Sequence, residues 1–415
     1  MKKWLRLACT GAVLAGALTV SAFAADYTAC ASHLEDLGLF RGTEQGYELD
    51  RAPTRAEAAV MLVRLLGAEG EAQQLEYSAP FTDLEGWEQP YVQYLYENGL
   101  TTGATETTFE PENTCSAQMY AAFLLRALGY TEAAGDFTYA QAATAAQDYG
   151  VYDPAVIDTA EFLRDDVAAA SYTALSVTPK DEEGTLLDRL VQEGAVEAEA
   201  AQPYQALFAD YADYRAETAG MAELDSFSVR GGMQAAVNGG EGYQLTVRTE
   251  DYTTVGRADS TAVSEGTLTM ESPAVEPYTE AYRMDAAEQT KAQRMAMLYG
   301  YGAVPLALVE EIGQSGSSWT FTFSSLPQMY QGQMGALSRS GGAAWEILGQ
   351  STLTQSVSSG RITSQTLTMK AAAAELHADI TVTGELDTAQ QASMTKGPAA
   401  WQVLCYVRES LTACS

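Results

Sequence analysis

The apolar positions change period partway along the chain. In the first half they recur at helical spacing, as in Ala58, Met61, Leu62 and Leu65, which would share one face of a helix. Residues 203 to about 223 keep that spacing, with Tyr204, Leu207, Phe208, Tyr211 and Tyr214. Beyond them the pattern alternates: Phe227, Val229, Gly231 and Met233, then Tyr243, Leu245 and Val247. Residues 267–270, 319–323, 362–369 and 376–382 read as further strands, and Gly239-Gly240 and 316–318 as turns. Helices are expected at 287–298, 305–312 and 398–411. The pattern therefore predicts a helical N-terminal region and a C-terminal α+β domain over 203–415. Its sheet should be mainly antiparallel, because short Gly/Ser turns suit hairpins rather than crossovers.

The helical half repeats itself. Gly38-Leu39-Phe40-Arg41-Gly42, Tyr47-Glu48-Leu49, Thr54-Arg55-Ala56-Glu57 and Arg64-Leu65-Leu66-Gly67 form one copy. Gly99-Leu100-Thr101-Thr102-Gly103, Phe109-Glu110-Pro111, Ser116-Ala117-Gln118-Met119 and Arg126-Ala127-Leu128-Gly129 form a second, about 62 residues later. A weaker third runs from Phe137 through Tyr149-Gly150-Val151 to Leu163-Arg164-Asp165-Asp166 and Tyr172-Thr173-Ala174-Leu175. Thr54 and Glu57 have the spacing of a capping box, which places Arg55 in the first helical turn, pointing away from the apolar face. A helix-loop-helix of this size cannot bury its stripe alone, so the copies must pack on one another.

Phe81-Thr82-Asp83, Trp87, the 99–103 and 109–111 runs and Thr54 to Glu57 together resemble the S-layer homology (SLH) domain. The expected repeats cover about 26–70, 81–130 and 137–196. The resemblance implies an all-α, pseudo-threefold helical bundle without catalytic function, whose grooves hold secondary cell-wall polysaccharide, typically pyruvylated. It places the groove arginine at Arg55 and, in the third copy, at Arg164, where a guanidinium fork suits a pyruvyl carboxylate. Asp83 would brace the loop beneath Trp87. Trp87 itself either stacks on a sugar or is buried against Tyr91 and Leu95. Against ligand contact stands plain ion pairing, Arg55 with Glu57 and Arg164 with Asp166. Copy two departs from the family pattern, with Ala117 in the arginine position and Met119 in the glutamate position. Copies one and three lack the Phe-x-Asp and the Trp.

Residues 1–24 read as a secretory signal peptide: Lys2, Lys3 and Arg6, an apolar run, then Ala22-Phe23-Ala24. The expected location is the cell wall or S-layer surface of a Gram-positive-type envelope, with no transmembrane segment after cleavage. Charge excludes two classes of partner. The chain carries 23 Lys+Arg against 55 Asp+Glu, a net charge of −32. Nothing basic enough to track nucleic acid or an anionic membrane is present. Four cysteines follow the expected cleavage point, and the pairings considered are Cys405–Cys414 and Cys30–Cys115, or none at all.

Two histidines, His33 and His377, leave little for histidine chemistry, and no catalytic motif with its partner residues occurs. No metal and no cofactor are expected. The leading expectation is a non-enzymatic, exported surface protein. Alternatives are a wall-anchored hydrolase or a carrier of an apolar ligand. The carrier reading rests on a loose resemblance of the C-terminal region to lipoprotein-carrier (LolA-like) half-barrels, and it would have the apolar run 295–308 line an internal cavity.

Overall fold

The computed structural model describes residues 27–256, 259–289, 294, 297–323, 326–327, 330 and 345–387. The expected signal peptide, Cys405, Cys414 and the expected helix at 398–411 lie outside these residues. The first part is helical: α1 (Thr28–Asp36), α2 (Arg55–Leu65), α3 (Glu69–Ala72), α4 (Gln89–Glu97), α5 (Ala117–Ala127), α6 (Ala142–Asp148), α7 (Arg164–Leu175), α8 (Leu186–Gln192) and α9 (Ala198–Glu217). The caps are those the sequence spells. Thr54 Oγ1 accepts from the Glu57 amide at 3.2 Å, and the Glu57 carboxylate accepts from the Thr54 amide at 2.8 Å.

The repeat shows in the backbone. Glu48 and Glu110, aligned by the period, both adopt positive φ (52° and 60°), a conformation that costs a non-glycine residue energy unless its surroundings enforce it. Each lies in a loop on which the start of another copy's helix docks. The Arg55 and Ala56 amides donate to the Asn113 and Pro111 carbonyls, and the Arg164 and Asp165 amides donate to the Arg51 and Leu49 carbonyls. Gly103 explains its place in the motif: at φ +80°, a Cβ there would lie 2.3 Å from the Phe81 ring. Apolar faces from all three copies share one core, including Leu34, Leu62, Phe109, Tyr120, Leu124, Val167 and Leu187.

The second part is a ten-stranded sheet. Its strands are β1 (Ser226–Asn238), β2 (Gln244–Gly256), β3 (Thr261–Ser272), β4 (Val275–Asp285), β5 (Glu311–Ser315), β6 (Ser318–Phe323), β7 (Glu346–Ile347), β8 (Ser351–Ser358), β9 (Arg361–Ala373) and β10 (Leu376–Asp387). They run in the order β4-β3-β2-β1-β10-β9-β8-β6-β5, with β7 beside β9, and every pairing is antiparallel. The alternating residues Met233, Ala235, Val247, Leu353, Leu367 and Ile380 form one buried face with Trp319, Phe321 and Phe323.

Three expectations need correction. Residues 305–312 are not a helix: one 3-10 turn, Leu306–Leu308, leads into β5. Tyr214 holds the preceding Val304 amide, and Leu306 and Ala307 are drawn into the helical core, so the segment is fixed by tertiary contacts rather than by its own period. The described residues of the apolar run 295–308, which begin at Met297, largely fill packing rather than line an internal cavity. Met297, Leu298 and Tyr301 pack with Phe227, Val229 and Val255, and Val304 joins the main sheet core. Ala307 and Leu308 border a small pocket at the seam between helices and sheet, with His33 and Tyr172. Third, Cys30 and Cys115 are free, buried thiols in different surroundings. Cys30 donates to the Ala307 carbonyl at 3.2 Å, whereas Cys115 lies by the start of α5, next to Arg55. Of the expected helix at 287–298, the described residues show a 3-10 turn, Ala286–Glu288, and helical residues 294 and 297–299.

The helix expected from residue 203 starts earlier, at Ala198, with Pro203 in its second turn. It spans both cores: Ala201 and Phe208 are buried with the repeats, Tyr214 with the sheet.

Candidate functional site

Arg55 is the first residue of α2, and the capping box fixes its backbone. Its side chain does not point into solvent. It is 6% exposed, with Cζ 4.7 Å from the centre of the Phe109 ring and 5.8 Å from that of Phe123, both supplied by copy two. Rings within about 6 Å attract a guanidinium through their negative faces and leave its N–H groups to seek an acceptor elsewhere. Its Nε is buried and makes no hydrogen bond, and no ion pair reaches the group among the described residues. Burial lowers its pKa from the ordinary value, opposed by Cys115, Tyr139 and Glu110. The Glu57 pairing anticipated for Arg55 is absent because the capping box turns that carboxylate toward Thr54 and Arg51.

Asp83 braces this arrangement. Its carboxylate accepts from the Phe109 amide at 2.8 Å and from the Glu110 amide at 2.7 Å, so it fixes the ring on which Arg55 rests. Tyr139 borders the same place, 44% exposed and within electrostatic reach of Arg55. Trp87 lies in a 3-10 turn, Gly86–Glu88, and is 56% exposed; Tyr91 and Leu95 face the core without it.

Arg164, first residue of α7, has different surroundings although its backbone docks as Arg55's does. It is 4% exposed, its Nε donates to the Tyr47 carbonyl at 3.0 Å, and Nη1 lies 3.8 Å from Glu57 Oε1. Arg51 grips the same carboxylate with both Nη atoms, at 2.6 and 2.8 Å. Burial would raise the Glu57 pKa; the Arg51 fork, the Thr54 amide and Arg164 outweigh it and hold the pKa below the usual value. The partner anticipated for Arg164, Asp166, instead accepts from the Leu163 and Asp158 amides. At the third equivalent position, Ala117, the Tyr152 hydroxyl donates to the helix's first carbonyl at 2.8 Å.

The structure thus joins Thr54, Glu57 and Arg164 in one network and Asp83 with Arg55 through Phe109. It leaves Trp87 apart as an exposed ring. Arg51, Phe123 and Tyr139 were not singled out from the sequence. Of these, Arg51 carried a signal: it precedes the Thr-Arg-Ala-Glu run within reach of Glu57. Tyr139 carried none, since copy three lacks the family's spelling there.

Residues 80–116 match the family model described as the S-layer homology domain, and the chain carries an SLH domain. The match contains Asp83, Trp87 and Phe109. The chain is 32% identical over 109 residues to the "Middle cell wall protein" of Brevibacillus brevis and 31% identical over 136 residues to a "Surface layer protein" of Brevibacillus choshinensis. These alignments cover 26% and 28% of this chain but 10% and 12% of those relatives. An "Endoglucanase" of a Bacillus species is 37% identical over 79 residues, 19% of this chain and 8% of its own.

Proposed function

We propose that this protein is an exported surface protein, held at the cell wall by non-covalent contact between its repeats and secondary cell-wall polysaccharide. One observation carries the reading: Arg55 is a buried guanidinium beside two aromatic rings and, among the described residues, without a hydrogen-bonding partner, at the position to which the resemblance assigns the groove arginine. Such a group is pre-organised for an acidic substituent, a pyruvyl ketal carboxylate in the leading case. Asp83 sets the loop, and the exposed rings of Tyr139 and Trp87 offer sugar platforms. The equivalent docking of α2 and α7 supports a pseudo-threefold bundle of repeats. The two Brevibacillus relatives, named as wall and surface-layer proteins, support the location. Attachment, rather than turnover, is the role proposed for the helical part, and the sheet is the part displayed. The similarity to an endoglucanase is confined to 79 residues and lends the sheet no activity.

The test is co-sedimentation of the full chain with wall sacculi before and after the secondary polysaccharide is stripped off. Binding lost on stripping supports the reading. Equal binding to both preparations, or to neither, overturns it.

A further inference from the structure

The three helix starts that the repeat makes equivalent differ in what the chain itself has already done with them. At Arg55 the guanidinium meets two aromatic rings and, among the described residues, no acceptor, and its Nε is left buried without a partner there. At Arg164 the same group donates to the Tyr47 carbonyl and lies 3.8 Å from Glu57, whose carboxylate is also held at both oxygens by Arg51. The alignment explains the switch. Arg164 docks on copy one, where Glu57 supplies an internal anion, whereas Arg55 docks on copy two, where Met119 stands in the place of that glutamate. At Ala117 no cation exists, and Tyr152 closes the helix start.

Resting on the attachment reading above, we propose that the chain has a single anion-receiving groove, at Arg55, and that Glu57 and Arg51 have turned Arg164 into a bolt between repeats one and three. A carboxylate arriving at Arg164 would have to displace one already held by two guanidinium groups. At Arg55 it displaces nothing but water. The protein therefore takes one acidic substituent per chain, and multivalent grip on a wall must come from several copies rather than from one.

Calorimetric titration of the full chain with a disaccharide bearing a pyruvate ketal tests this. One equivalent is expected to bind. Arg55→Ala should weaken binding by at least about tenfold, the loss of one charge-assisted contact, and Arg55→Lys should recover part of it where alanine fails to fold. Arg164→Ala, checked for folding by circular dichroism, should keep the stoichiometry and the affinity while melting earlier. Glu57→Gln keeps an acceptor for the cap but removes the internal anion, and should raise the stoichiometry to two. Two or more equivalents in the wild type, an Arg164→Ala loss matching that of Arg55→Ala in a folded protein, or a Glu57→Gln protein still binding one would each overturn the proposal. Full-chain binding to sacculi that persists in Arg55→Ala would overturn the groove while leaving wall attachment standing. Failure of the wild type to bind sacculi at all would overturn attachment itself.

Discussion

The Arg55 guanidinium lies 4.7 Å from the centre of the Phe109 ring, and it is Asp83, from a different loop, that holds Phe109 in place through its backbone amide. The guanidinium, its aromatic platform and its brace thus come from three separated stretches of chain. A change at the brace should be felt at the groove.

Asp83→Ala removes the acceptor for two amides and leaves both to find water. A stability loss of about 1–3 kcal/mol is expected, read by chemical denaturation of the full chain. Binding to sacculi should fall with it. Asp83→Asn, which keeps one acceptor oxygen, should lose less. Wild-type stability in Asp83→Ala would show that the loop does not depend on this carboxylate.

Much of this was legible, and the failures have physical causes. The helix start at Thr54 is spelled by short-range chemistry, and the structure caps it as the sequence predicts. The expected Arg55–Glu57 pair conflicts with the capping box read from the same four residues, because one carboxylate cannot both reach back to the Thr54 amide and follow Arg55. Strands β1, β2, β6, β9 and β10 announced themselves by alternation. Strand β4 did not, since its described side chains are mostly exposed and its face carries no apolar rhythm. Strand β8 alternates Ser, Leu, Gln and Val with Thr and Ser, too polar to read as a buried face, although Ser351 and Gln355 are buried within it. Gln355 became interpretable only with its partners: it accepts from the Tyr214 hydroxyl and donates to the Gly302 carbonyl.

Thiol chemistry offers an independent check of the packing. Burial pushes the Cys115 thiol up to about 12 and raises that of Cys30 as well, so neither is a thiolate at neutral pH. Iodoacetamide should leave both unmodified in the native protein and alkylate both after denaturation, as read by peptide mass mapping. A Cys30–Cys115 crosslinked peptide under non-reducing conditions would contradict this packing.

Asp251, on β2, gives the sheet a pH dependence of definite sign. Its carboxyl is pushed upward by burial, opposed by the hydroxyls of Tyr282, at 3.1 Å, and Thr249; among the described residues Oδ1 has no hydrogen-bond partner. A folded-state pKa above the unfolded one means that the folded chain binds this proton more tightly. The group's contribution is then fully present below the ordinary carboxylate pKa and is lost as pH rises through the raised value. Asp251→Asn should therefore melt higher than wild type at neutral pH, with the gap closing in acid. A gap that widens in acid would reverse the sign.

The last prediction concerns α9, which joins the two cores. Phe208 is buried among the repeats, its ring 5.5 Å from that of Tyr172, while six residues on Tyr214 is buried in the sheet and bonds Gln355 and Val304. One helix therefore supplies a large side chain to each side. The sequence suggests an acidic linker near residues 193–202, with the repeats folding by themselves up to residue 200. The structure instead has Ala201 and Phe208 completing their core. A fragment ending at residue 200 lacks both and should melt well below one ending at residue 217. In the full chain, Phe208→Ala should cost about 3–5 kcal/mol, the range for emptying a buried aromatic site. The loss should fall on the transition of the helical part, followed by near-ultraviolet circular dichroism of its tyrosines. Equal melting of the two fragments would mean that the repeats close their core without α9.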